Sequence, residues 1–498
     1  MRKQLIFTNA IMSSIQIALV SIVVFLLYKF LLNVIGIEQL GIWSLILSST
    51  TVVAQAASFG MTGSVVKFVA KYIARGEEKI ASLVIQTAVI SFGIITGCLL
   101  LISYPLVKWI LSFIVPAKSI KIAFSILPFA FFSLWFMTIT SVFNSVLDGL
   151  QKVYLRNILM ISYSLFYAFL CFLFSPKYGL IGLAYAQVIS NFVFLVLSLI
   201  LVKICFPIFP FLPYKWDKNL FKEIINYGLN FQIISITAMF YDPITKALIS
   251  KFGGLSMVGY YEMANKMVQY IRALIISANQ SLVPVIANLY EKRAEKVNTV
   301  YLTNYRLLFF ISLPLFTLII IILPLISVLW IGRYEKIFIT FGTFITLGWF
   351  LNTLDAPSYF ANLGTGNLRW NVIGHIITGI LNIVLGIIFG FIFDGYGVVV
   401  GWAIALSVGS AAIYISYHIT NGISLKELFP KDSRSMAYLC IILILFSFTI
   451  HLFSGIQEIT TITLIIIISG LLLIFPQIYN HPIKNSLIIW AKELFNKG

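Results

Sequence analysis

Apolar residues run along this chain in long blocks. Short polar stretches, which hold many of the glycines, prolines and charges, separate them. A helix needs about 20 apolar residues to cross a bilayer, and on that measure the blocks predict about fourteen crossings. They lie over residues 11–35, 40–65, 82–114, 121–147, 154–175, 179–206, 224–250, 256–288, 303–331, 336–362, 369–392, 396–418, 435–453 and 459–478. The longest intervening stretches, 207–223 and 419–434, and the basic tail after 479 are too short for soluble domains.

Composition agrees with the pattern. The chain is 60% hydrophobic and 10% charged, with a mean hydropathy of +1.00. Soluble domains carry about 25% charged residues. The expected fold class is an all-α polytopic membrane protein. The first block opens "MRKQLIF", but its apolar run exceeds a signal-peptide core and lacks a small-residue cleavage end. It is expected to remain as the first transmembrane helix.

The net charge is +17, from 34 Lys and Arg against 17 Asp and Glu. The basic residues are scattered over many short loops, which argues against nucleic acid as a partner. They concentrate at alternate loops: Arg2 and Lys3, then Lys67, Lys71, Arg75 and Lys79, then Lys152 and Arg156, and so on to Lys484, Lys492 and Lys497. Such loops face the cytoplasm. Both termini are therefore expected inside. Cys98, Cys171, Cys205 and Cys440 have no metal-like or redox-like spacing and read as small apolar residues.

The blocks repeat. "GIEQLGIW" (36–43) and "GLSMVGYY" (254–261) both read Gly-x4-Gly-x-aromatic. "YGLIGLAYA" (178–186) resembles "YGVVVGWAIA" (396–405), and "LRN" (155–157) resembles "LRWN" (368–371). The matches fall at corresponding places in two sets of six spans, so the halves share one orientation. The expected domains are residues 1–207, residues 208–422, and an extra helix pair with its tail over 423–498.

Several spans carry polar stripes. Successive helix residues turn by about 100°. In the eighth span Tyr261, Glu262, Asn265, Gln269 and Arg272 share one face, with Lys266 at its edge. Glu262 and Lys266 are spaced to pair. Arg272 has no acid one turn away and needs a partner on another helix, water or a ligand. Asp242 and Lys246 are similarly spaced in the seventh span, with Gln232 and Ser235 on the same side. The tenth span aligns Gly348, Asn352, Asp355, Tyr359 and Asn362; the eleventh aligns Asn371, His375, Thr378 and Asn382. His375 reads either as a packed histidine or as a proton relay. Lys29 either snorkels to the outer interface or joins the polar faces. Together these faces are expected to line a water-filled cavity holding both signs of charge.

With topology and repeat in place, the sequence resembles the polysaccharide flippases of the multidrug/oligosaccharidyl-lipid/polysaccharide exporter superfamily. It looks most like the Wzx-type O-antigen and capsule repeat-unit transporters. The resemblance rests on "GIEQLGIWSLI", "FGMTGSVVKFVAKYIARGE", "NSVLDGLQKVYLRN", "YGLNFQIISITAMFYDPITKALIS", "VGYYEMANK" and "LPLISVLWIG". It implies two pseudo-symmetric six-helix lobes of the MATE-like kind around a cationic cavity, and an extra helix pair bordering a lipid groove. It implies transfer of an undecaprenyl-pyrophosphate-linked oligosaccharide across the bacterial cytoplasmic membrane, coupled to an ion gradient. A polysaccharide polymerase and a chain-length regulator would be working partners.

On this reading Arg272, Lys266, Lys246 and Lys29 would hold pyrophosphate or acidic sugars. Asp242, Glu262 and Asp355 would balance charge and exchange a proton or Na⁺. Gln269, Asn352, Asn362, Asn371 and His375 would meet sugar hydroxyls. No cofactor and no catalytic residue is expected. The chain has no Walker A loop, no G-x-S-x-G, no H-E-x-x-H and no large outer loop for a glycosyltransferase site. A multidrug exporter and a lipid II flippase are the alternatives within the superfamily; the former should have a cavity dominated by acids.

Overall fold

The computed structural model describes residues 2–58, 60–239, 241–280, 282–453 and 459–482. The tail with Lys484, Lys492 and Lys497, and the side chains of Arg2, Lys3, Gln232 and Ser235, lie outside what is described. The described residues form fourteen α-helices, α1 to α14, with no strand among them.

Three of these helices are too long for one crossing. Helix α5 (Val153–Cys205) has 53 residues and α12 (Arg369–Thr420) has 52. At 1.5 Å per residue each would run to ~80 Å, against a hydrocarbon core of ~30 Å. Each instead breaks once, as does α1 (Arg2–Ser58); the breaks in α1 and α12 fall between predicted spans and that in α5 at the first residue of one. Helix α1 breaks at Gly36 (φ 79°), α5 at Gly179 (φ 57°, ψ −132°) and α12 at Asp394 (φ 53°, ψ −145°).

The remaining differences are local. The predicted second span continues past Gly60, which is left-handed, into α2 (Met61–Ala74). The predicted seventh span is covered by α6 (Lys218–Met239) and α7 (Tyr241–Gly253), on either side of residue 240, which is not described. The eighth is divided into α8 (Leu255–Asn279) and α9 (Leu282–Lys292).

The order α3 (Glu78–Ile114), α4 (Ala117–Gly149), α5 recurs as α10 (Val297–Ile326), α11 (Lys336–Thr365), α12. The same succession of long helices thus occurs twice, and one register differs from the sequence match. Gly182 and Gly397 each follow a break by three residues, and each packs on the carbonyl of a phenylalanine, Phe174 or Phe389. Gly179 thus corresponds to Asp394. That is three residues away from the sequence match, which paired Tyr178 with Tyr396.

The chain forms two compact units, Met1–Glu262 and Met263–Gly498, divided inside α8. In the first, α2, α3, α4 and α6 bury Met61, Phe68, Phe92, Phe143 and Ile224, together with Phe209 of the linker after α5. That linker is fixed to α3: the Gln86 side chain accepts from the backbone N–H of Tyr214 and Lys215, and Trp216 Nε1 donates to Ser91. In the second unit the extra pair, α13 (Arg434–Phe453) and α14 (Ile459–Tyr479), packs on α10 through Met436, Cys440, Leu443 and Ile466. The four cysteines are free thiols.

The motifs "GIEQLGIW" and "GLSMVGYY" meet within the first unit. A Cβ on Gly41 would fall on the carbonyl oxygen of Leu255, and one on Gly259 would fall on that of Ile37. The second arm of α1 and the start of α8 therefore touch backbone to backbone. Gly is required at both positions.

Candidate transport site

Two polar clusters are built inside the apolar helices, one in each unit. In the first unit Lys246 of α7 is buried between two carboxylates. Its Nζ lies 2.5 Å from Asp242 Oδ2, one turn back, and 2.8 Å from Glu262 Oε2 on α8. Asp242 is partly exposed, whereas Lys246 and Glu262 are buried. Tyr28 of α1 donates its hydroxyl to Glu262 Oε1 at 3.0 Å. A buried charge needs pairing and hydrogen bonds to persist, and here the one cation has two acids.

The Asp242–Lys246 pair follows from sequence spacing. The Lys246–Glu262 pair does not, because it joins two helices. Lys29 is exposed on α1, and its neighbour Tyr28 is the residue that reaches the cluster. A rotation of about 100° per residue separates the two positions.

The second cluster centres on Asn352 of α11. Arg272 of α8 donates from Nη2 to Asn352 Oδ1 at 2.6 Å. Asn352 Nδ2 donates to Asp355 Oδ2 at 3.1 Å and to Ser410 Oγ of α12 at 2.8 Å. The Arg272 guanidinium lies 4.6 Å from the centre of the Trp349 ring, within cation–π range. Trp349 Nε1 donates to Asn265 Oδ1 at 2.9 Å, and Gln269 Nε2 reaches the same oxygen at 3.3 Å. The Trp349 ring meets Trp402 edge-on at 5.7 Å. Gly348 makes room for this packing by lying against Trp402 and Ala403.

Arg272 therefore finds the partner on another helix that its spacing required, but that partner is a neutral amide. Its Nε is buried without an acceptor. Lys266 is half-buried nearly two turns away on α8.

Asn362 and Asn371, expected at sugar hydroxyls, are buried and hold the α11–α12 corner. Asn362 Nδ2 donates to Asn371 Oδ1 at 2.8 Å, and Asn371 Nδ2 to the Tyr359 carbonyl at 3.1 Å. Asn157, at the matching start of α5, is buried in the same way and donates to Ser13. His375 packs its ring edge-on against Tyr359. Three contributors were missed from sequence. Trp349 sits one residue off the predicted stripe, Ser410 lies on a span whose polar face was not singled out, and Tyr28 was passed over for Lys29. No group of His, Cys, Asp and Glu able to hold a metal occurs among the described residues.

The fold superposes on that of transporters of the MOP superfamily. An inward-facing multidrug resistance MATE family transporter superposes with a TM-score of 0.70 at 17% identity, covering 82% of this chain and 94% of that one. The lipid II flippase MurJ, in an inward closed conformation, gives 0.70 at 16% identity, covering 96% and 99%. A Pyrococcus furiosus MOP transporter, described as having reversed binding-pocket polarity, gives 0.59 at 16% identity over 83% and 95%. No curated protein matches the sequence. Residues 6–290 match the family described as "Polysaccharide biosynthesis protein", and the chain belongs to that family. It is a multi-pass membrane protein with a MATE- and MurJ-like fold, and its family and structural neighbours point to a flippase.

Proposed function

We propose that this protein carries lipid-pyrophosphate-linked oligosaccharide repeat units across the bacterial cytoplasmic membrane for a surface polysaccharide. Capsule and O-antigen units share this chemistry. The observation that carries the reading is Arg272. It is a membrane-embedded guanidinium held by an amide and an aromatic ring, with no direct ion pair among the described residues. Such a cation can exchange its amide for a phosphate oxygen, and the planar fork suits phosphate recognition.

On this reading Arg272 and Lys266 receive the pyrophosphate, and Gln269 meets sugar hydroxyls. Lys246, neutralised by two carboxylates, is structural. Asp355 is the group that takes up and returns a proton. The chain works as lobes 1–207 and 208–422 related by the repeat, with 423–498 appended and both termini in the cytoplasm. A polymerase and a chain-length regulator act after it. In a cell whose only flippase is this protein, Arg272→Ala and Lys266→Ala abolish surface polysaccharide while the protein still reaches the membrane. Wild-type glycan levels in both variants would refute the assignment.

A second reading, a lipid II carrier, is favoured by the near-complete coverage of MurJ, extra helix pair included. Depletion separates the two. Lysis indicates lipid II, and loss of a surface glycan with survival indicates a repeat-unit carrier.

A further inference from the structure

Asn352 has two unlike ends, and both are engaged. Its oxygen faces Arg272, and its nitrogen faces Asp355 and Ser410. The orientation is dictated by the partners. A guanidinium only donates and an ionised carboxylate only accepts, so the amide must stand this way round while Asp355 is charged. Asn352, Asp355 and Ser410 are all buried, so water is a poor substitute for any of them.

Protonation of Asp355 inverts the requirement. The carboxyl then presents an O–H, and the amide oxygen is the better acceptor beside it. If the amide turns over to take that bond, its NH₂ group faces the N–H groups of Arg272, donor against donor. Arg272 loses its only hydrogen-bonded side-chain partner among the described residues, and its guanidinium needs a new acceptor. The titratable groups that act on Asp355 are Arg272 from α8, Tyr359 on its own helix and Tyr414 from α12. His375 lies behind Tyr359, and the Tyr301 hydroxyl of α10 is engaged by His418 Nε2. None of these stands between Asp355 and Arg272 as Asn352 does.

We propose that Asn352 is a positioning residue whose amide turns over when Asp355 gains a proton, releasing Arg272 from Trp349 to bind a phosphate-type anion. The proposal rests on the carrier reading for its ligand, but the relay itself does not. One proton enters at Asp355 as the anion docks at Arg272. The same proton leaves when the amide turns back and the anion is displaced.

Two measurements on purified full-length protein test it. The first is the fluorescence of Trp349, taken as wild type minus Trp349→Phe, between about pH 5 and pH 8. It should change with pH as the guanidinium leaves the ring, and the change should vanish in Asn352→Ala and in Asp355→Asn. The second is binding of inorganic pyrophosphate. Wild type should bind about tenfold tighter at the acid end, a typical coupling between two sites. Asp355→Asn should bind tightly at both ends. Asn352→Ala should lose the ratio, whereas a merely structural defect would weaken both ends and keep it.

A Trp349 signal that does not move with pH in wild type overturns the proposal. So does an acid-to-alkaline binding ratio that survives in Asn352→Ala, or in Asp355→Asn should the first variant fail to fold. A moving Trp349 signal with no pyrophosphate bound at any pH upholds the relay and counts instead against the carrier reading.

Discussion

Lys246 of α7 and Arg272 of α8 are both cations enclosed among helices, but they are held differently. Lys246 sits between two carboxylates, one supported further by Tyr28. Arg272 touches an amide and an indole, and its nearest acid, Asp355, acts from beyond that amide. The first arrangement is closed. Removing the cation leaves two carboxylates uncompensated, one of them buried, which is costly. The second is open, because an amide is a weak rival to an anion for a guanidinium. The difference teaches that counting cations in a membrane helix does not find the binding site. The proposed site rests instead on the cation with no acid in direct contact among the described residues.

Four experiments can break or sharpen this contrast. The largest effect is expected for Arg272→Ala, with transport lost and melting temperature near wild type. A matching fall in stability would make Arg272 structural like Lys246. Next is Lys246→Met, which leaves Glu262 buried and unpaired. It should destabilise by about 3–5 kcal/mol, and Lys246→Met with Glu262→Gln should recover much of that loss in a thermal melt. Equal melts for the single and double variants would show that the triad is not a closed unit.

Gly259→Ala comes third. It should cost about 1–3 kcal/mol through overpacking at the α1–α8 contact, seen as less folded protein on size-exclusion chromatography. The smallest expected change is a gain. Asp394 holds a backbone conformation that is nearly exclusive to glycine, at a cost of order 1–3 kcal/mol. Asp394→Gly, which copies Gly179, should raise the melting temperature without changing transport. An unchanged or lower value would mean that the Asp394 side chain compensates its own strain.

Much of the fold was legible because hydropathy reports a solvent boundary. The ends of the blocks marked the breaks in α1, α5 and α12, which lie where the chain turns back toward the bilayer. Within the blocks the signal faded. The left-handed Gly60 before α2 and the turn at Gln280 after α8 fall inside sequence that hydropathy reads as continuous.

For the site, helical projection placed Arg272, Asn352 and Asp355 on polar faces. It could also pair Asp242 with Lys246, since both lie on one helix. It could not bring Lys246 to Glu262, or Asn352 to Ser410, because those contacts depend on the angle at which helices cross. For the same reason it could not separate Asn352, which works between two charges, from Asn362 and Asn371, which lock a corner. All three are asparagines on polar stripes, and only their partners differ.

The contact at Gly41 and Gly259 has a consequence for how the molecule tolerates change. Where helices meet through side chains, a substitution can be absorbed by a rotamer or a neighbouring cavity. Here main chain lies on main chain, and no side chain is available to yield. Any added atom must appear as increased spacing between α1 and α8, and Lys246, Glu262 and Tyr28 are held across elements joined to that crossing. Two glycines that carry no chemistry thus set the tolerance within which the neighbouring charged triad can close.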